Sequence, residues 1–234
     1  MSGTLAIIPA RAGSKRVPNK NHRLFLGRPL IQWTIDFALS LNDVSCVLVS
    51  TDSEEVASLA RGGGAYVPWM RPSELASDNA KSIDVVMHAV HAMIVEGMTF
   101  DTVALLQPTS PIRKMERWQE AKALINQGSP AAVGVSPASS HPYWTYFIEE
   151  DKVLSPCFVE GLNMRSQDLP TACVPNGSLY LCQTEILRQQ YSLTPEGTAG
   201  VMCSDPIESI DIDTEDDWLL AEKLILEKIP NYHE

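Results

Sequence analysis

LAIIPARAGSKRVPNKN, residues 5–21, decides how the chain is read: a short aliphatic run ending in proline passes straight into a loop rich in Gly, Ser and cations. A brief apolar run bounded in this way is the mark of a strand buried on both faces. Working outward, an amphipathic segment over 30–41 leads to a second apolar run at 44–50, which gives β-α-β order. Asp52 and Glu55 read as a capping box for a helix through Ala60, closed by Gly62, Gly63 and Gly64 as a C-cap instead of a phosphate cradle. Helices are predicted near 83–96 and 115–126, and strands near 102–106 and 131–136. Such alternation predicts an α/β fold with a mostly parallel sheet wrapped by helices.

The pattern breaks at 138–175, which is aromatic, proline-rich and irregular, with a hairpin suggested by the stretches 145–149 and 152–154. This segment reads as an insertion in the core. A strand at 177–182, a helix from Thr184, a strand at 209–212 and a last helix from Thr214 to Ile229 then complete it. The length of 234 residues suits one domain, 1–234, and no internal repeat is present.

Eighteen basic against 29 acidic residues give a formal net charge of −11, which argues against a nucleic-acid-binding surface. The five cysteines form no CxxC pair, so reduced and mostly buried thiols are expected. No charged n-region precedes an apolar h-region and no run is long enough to span a bilayer. A soluble, cytoplasmic protein with no membrane partner is the expectation.

Charge distribution says more than its sum. No acidic residue precedes Asp36, whereas Arg11, Lys15, Arg16, Lys20, Arg23 and Arg28 crowd one stretch. That loop leaves the carboxyl end of the first strand, where open α/β sheets bind ligands. Gly13 and Ser14 let the backbone turn, and Arg11, Lys15 and Lys20 suit a triphosphate. The loop is neither GxxxxGKS nor GxGxxG, which demotes P-loop NTPases and dinucleotide-dependent oxidoreductases.

Near the other end, SIDIDTEDD places Asp211 and Asp213 two apart, so on an extended strand both carboxylates share a face, their Cα atoms about 6–7 Å apart. Two such oxygens suit one Mg²⁺, which also takes water and substrate phosphates. Asp216 and Asp217 are better read as capping the last helix. RPSELASDNAKS, residues 71–82, and LLQPTSPIR, residues 105–113, read as loops. Gln107, Thr109 and Ser110 can hydrogen-bond a polyhydroxylated ligand, although Pro108 and Pro111 alone mark turns.

In order and spacing IPARAGSKR, PNKN, VSTDSEEVA, RPSELASD, LLQPTSPIR, RSQDLP, PNGSLY and SIDIDTE together resemble the acylneuraminate cytidylyltransferases, or CMP-sialic acid synthetases, along nearly the whole chain. The resemblance implies a Rossmann-like nucleotidyltransferase core, CTP as donor, a nonulosonic (sialic-acid-like) sugar acid as acceptor, Mg²⁺ as cofactor and a homodimer built through the insertion. It also implies site roles. Arg11, Ser14, Lys15 and Lys20 would hold the triphosphate, Asn21 the ribose, and Arg71 with the Ala80 backbone the base, Ser82 lying close to the nucleotide. Arg11, Lys15, Lys20 and Asp211 would carry the chemistry, with Asp211 and Asp213 on the metal. Gln107, Trp144, Arg165, Asn176 and Tyr180 would line the sugar pocket.

Two positions depart from the sialic-acid-using pattern, where a lysine often replaces Trp144 and an arginine Val174. The PYW pattern is more similar to enzymes for legionaminic-type acids, whose acylated, deoxygenated tails suit an indole. Tyr143 and Trp144 read equally as aromatics of a dimer interface. The nearest rivals are a related nucleotidyltransferase using Kdo or a sugar phosphate, and a non-catalytic nucleotide-sugar binding protein.

Overall fold

The computed structural model describes residues 3–228. Its centre is a six-stranded sheet of β1 (Thr4–Pro9), β4 (Val44–Ser50), β5 (Thr102–Leu105), β6 (Ala131–Pro137), β9 (Cys173–Gln183) and β10 (Ala199–Met202), in the order β10-β6-β9-β5-β1-β4. All neighbours are parallel except β9, which runs antiparallel between β5 and β6. Two short ribbons lie outside it, β2 (Leu24–Phe25) with β3 (Arg28–Pro29), and β7 (Tyr146–Ile148) with β8 (Leu154–Pro156).

Alternation along β1 explains the layers. Ala6 and Ile8 point to one face, where α1 (Leu30–Leu39), α2 (Glu54–Gly62) and α4 (Met115–Asn126) bury Ile35, Ala57 and Trp118. Leu5 and Ile7 point to the other, against α3 (Ser82–Val95) and α5 (Thr184–Gln190). A third apolar cluster, with Val17, Phe25, Ile210, Ile212 and Trp218, seats α6 (Glu215–Lys228) beside the first loop. The chain winds from β1 to β4 on one side and returns to β5 on the other. Loops leaving β1 and β5 therefore diverge and open a crevice at the carboxyl edge of the sheet.

Most predicted elements appear within two residues, including the 7/8 hairpin, and Ile229, the predicted end of the last helix, lies outside the described residues. Four expectations need correction. The strand at 209–212 does not form: Pro206–Ser209 is a 3-10 turn capped by the Asp205 side chain, and the residues after it run extended, held by Ile212 N–H donating to Thr109 O at 2.8 Å. A strand at Ala199–Met202, beside β6, takes the edge instead. The cap of α2 is Ser53, whose hydroxyl accepts from Val56 N, because Asp52 is drawn away to accept from Ala12 N at 2.8 Å. The insertion ends at Ala172, since Cys173, Val174 and Pro175 already pair with β6. Of the cysteines, all free, only Cys182 and Cys203 are buried, and Cys173 is exposed.

Candidate active site

The crevice is a cleft of about 690 Å³. Arg11, Ser14, Lys15, Lys20 and Asn21 reach it from the loop after β1. Arg71, Ala80 and Ser82 reach it from the segment between β4 and α3, Gln107 from the end of β5, and Asp211 and Asp213 from the extended run before α6. Every nucleotide and metal candidate thus shares one wall-to-wall site, drawn from positions as far apart in sequence as Arg11 and Asp213.

Local geometry fixes the first loop. Asn19 takes a left-handed φ of 58°, and the Asn21 amide donates to Arg11 O at 2.9 Å, which folds the loop back on itself. Together with the Asp52 bond to Ala12 N, this turns Arg11 and Lys15 into the cleft. There both cations meet Asp78, at 2.7 and 2.5 Å. Hydrogen bonds from Lys15 and Arg11 hold the Asp78 carboxyl below the usual range.

On the opposite wall Lys20 is the least exposed of the loop cations, donating to Ile212 O at 2.8 Å and to Asp213 at 3.0 Å; Arg16 lies 3.6 Å from Asp213. Asp211 behaves differently. Crowding by surrounding protein pushes its carboxyl up, and Asp213 and Asp217 add to the effect, while the Thr109 hydroxyl and Lys20 oppose it. Its side chain still opens to the cleft. A carboxylate destabilised beside a second one is a place where a cation relieves repulsion.

Arg71 is buried, its guanidinium donating to the Ser50 hydroxyl at 3.0 Å and to Ser50 O. Burial pushes its pKa down to about 10, with Arg11 acting the same way and Asp52 opposing. The fork is therefore a fixed part of the wall, unlike the largely exposed Lys15.

A model of the family described as cytidylyltransferase matches residues 5–142, more than half of the chain. The chain belongs to the cytidylyltransferase family. CMP-N,N'-diacetyllegionaminic acid synthase of Legionella pneumophila is 39% identical over 94% of this chain and 95% of its own length. N-acylneuraminate cytidylyltransferase A of Danio rerio is 32% identical over 94% of this chain and 50% of its own. Among solved structures, a CMP:2-keto-3-deoxy-manno-octonic acid synthetase complexed with CTP superposes with a TM-score of 0.69 at 20% identity, covering 97% of this chain and all of its own, which shows the shared fold.

In this cytidylyltransferase the other sugar-side candidates stand off the cleft lining. Asn176 is buried and braces the sheet, donating to Ser136 Oγ at 3.0 Å and accepting from Ser178 N. Tyr180, half-buried on β9, has its hydroxyl pushed up by burial and by Asp211. Arg165 is exposed and paired with Asp168 at 2.8 Å. Trp144 is exposed in the 3-10 turn Pro142–Trp144, 6.3 Å from the His141 ring centre. Ser110 is spent on Asn176 O.

Residue-by-residue reading missed three groups, one lining the cleft of this cytidylyltransferase and two supporting its loops from behind. Asp78 sits in a motif quoted above but drew no role, although an acid facing the basic loop is the signal for it. Asp52 was spent on the helix cap. Arg113 lay hidden because nothing in a sequence distinguishes a fork drawn inward onto backbone carbonyls from one on the surface.

Proposed function

We propose that the protein transfers CMP from CTP to the anomeric oxygen of a nonulosonic acid and releases pyrophosphate. The observation that carries this reading is the convergence of Arg11, Lys15 and Lys20 with the Asp211–Asp213 pair across one cleft, in a chain 39% identical over nearly its full length to a CMP-N,N'-diacetyllegionaminic acid synthase. In this reading Arg11 and Lys15 leave Asp78 for the triphosphate, orient it, and stabilise the charge that spreads onto the leaving pyrophosphate. Lys20, anchored on Ile212 O, does the same from the metal side. Arg71 and the start of α3 at Ser82 bound the base, and Gln107 faces the acceptor.

Asp211 and Asp213 fit one Mg²⁺: they are hard oxygen donors on the cleft, and Asp213 raises the cost of charge on Asp211. No cluster of three or more His, Cys, Asp or Glu side chains suited to a metal occurs among the described residues, so such an ion relies on substrate phosphates and water for its remaining ligands. When bound it would supply charge neutralisation at the phosphates.

The acceptor is of legionaminic type. Trp144 and Val174 put no cation on the sugar side, and an apolar wall accepts a deoxygenated tail while leaving extra hydroxyls unpaired. The protein works as a homodimer through the insertion, whose Phe147, Ile148, Val153, Leu154 and Val159 form an exposed apolar surface. Among the described residues no helix is long and apolar enough to cross a membrane.

Pyrophosphate release with CTP, Mg²⁺ and a panel of nonulosonic acids tests the reading. Release is expected with legionaminic-type acids at a higher kcat/KM than with N-acetylneuraminic acid. No release with any member would sink the function, and a preference for N-acetylneuraminic acid the acceptor assignment. Ile148→Glu with Leu154→Glu is expected to yield monomers on sizing; an unchanged dimer would place the interface elsewhere.

A further inference from the structure

Among the described residues, Arg113 is the arginine that neither lines the cleft nor pairs with a carboxylate. Arg113 lies at the end of the 105–113 loop, and burial pushes its pKa down to about 9 with no carboxylate to offset the loss. It therefore stays charged at neutral pH against a desolvation cost. All three arms of its fork are used on neutral oxygens: Nε donates to Ser178 O at 2.6 Å, one terminal nitrogen to Thr34 Oγ1 at 3.0 Å, and the other to Gln107 O at 2.6 Å. These acceptors belong to β9, α1 and the cleft loop. The guanidinium also stands 5.8 Å from the Phe37 ring centre.

What this rivet holds is the turn 107–110. Gln107 O accepts from Arg113 and also from Ser110 N at 3.1 Å, and Pro108 and Pro111 remove two donors that would otherwise anchor the backbone. On one side of Pro108 the Gln107 side chain faces the cleft and lies close against Gly177, whose φ of +76° and missing Cβ permit the contact. On the other, Thr109 holds Asp211 by its hydroxyl and accepts the Ile212 N–H through its carbonyl.

We infer that Arg113 is a positioning residue that sets Gln107 toward the acceptor and Thr109 beneath the metal-side carboxylates. It acts on the sugar and metal half of the cleft and leaves the base end, built on Arg71, Ala80 and Ser82, alone. A surface or merely stabilising arginine has no such division. The inference rests on the function proposed above, which assigns those two halves.

Lysine keeps the charge, but its three donors sit on one nitrogen and cannot span three separated acceptors as the planar fork does. Arg113→Lys is expected to raise KM for the sugar acid about tenfold and the Mg²⁺ half-saturation several-fold, with KM for CTP at saturating Mg²⁺ within twofold. Thr34→Val removes one acceptor from outside the turn and is expected to raise the sugar KM two- to threefold, which carries the test if Arg113→Lys does not fold. Hydrogen exchange gives a readout independent of turnover: the Ile212 and Ser110 amides are expected to exchange faster in either variant, and the Ala12 and Arg71 amides at unchanged rates. A rise in KM for CTP equal to that for the sugar, or uniform acceleration of all four amides, would overturn the assignment. If the unmodified protein released no pyrophosphate, the proposed function would fall, and the exchange pattern would still decide the role of Arg113 in holding the turn.

Discussion

Glu208 should be cheaper to neutralise than its partner is to remove. Its side chain is 2% exposed and its carboxylate accepts from Arg117 Nε at 2.9 Å, with the Lys114 ammonium 3.5 Å away, three residues before Asp211. Glu208→Gln removes the buried charge itself. Volume and one acceptor oxygen remain, and Arg117 and Lys114, at 29% and 40% side-chain exposure, can turn to water. The loss is then one charge-assisted hydrogen bond, about 1.5 kcal/mol. Arg117→Leu instead leaves the carboxylate buried, and breaking such a pair from one side costs about 3–5 kcal/mol. Lys114 remains within reach, so about 3 kcal/mol is expected. For a chain of this size each kcal/mol is worth about 2–4 °C in Tm. Thermal unfolding should thus fall by roughly 3–6 °C for Glu208→Gln and roughly 6–12 °C for Arg117→Leu. The double variant should fall by less than the sum, because the stranded charge is gone. A larger loss from Glu208→Gln, or additive losses, would refute the reasoning.

Other outcomes follow from the cleft. Asp211→Asn and Asp213→Asn should lower turnover roughly a hundredfold or more with little change in Tm; near-normal rates at limiting Mg²⁺ would count against both residues as metal ligands. CTP should be strongly preferred to UTP, and Arg71→Ala should weaken CTP binding more than sugar binding, since a wall that pairs one base edge strands its groups against the other; equal use of both nucleotides by the unmodified protein counts against the base assignment. Asp78→Asn should lower KM for CTP, because the triphosphate no longer competes with a carboxylate for Arg11 and Lys15, and the gain should fade as salt rises. An unchanged KM at low ionic strength would show that Asp78 moves aside without cost.

The fold was legible where the hydrophobic period was long and unambiguous. β1, β4 and β6 are buried on both faces and read as continuous apolar runs, and α4 was placed to the residue. The failures share one cause. SIDID alternates as a strand does, and Ile210 and Ile212 are indeed buried, but their partner is the Thr109 carbonyl and the α6 cluster instead of a neighbouring strand. Period reports which side chains are buried and says nothing of what the backbone bonds. The short edge strand Ala199–Met202 was missed for the converse reason, since AGVM carries too few apolar residues to show a period.

The same distinction bears on the site. Asp211 and Asp213 reach the cleft together although no strand carries them, because two buried isoleucines at alternate positions pin the extended backbone and send the intervening side chains outward. The carboxylate pair therefore depends on apolar packing under α6 and, through Thr109, on the turn that Arg113 holds. Sequence could propose the ligands from their spacing. What it could not propose is the support, because the Arg113 fork binds carbonyl oxygens of Gln107 and Ser178, groups every residue has. Only the fold brings those two carbonyls to one guanidinium.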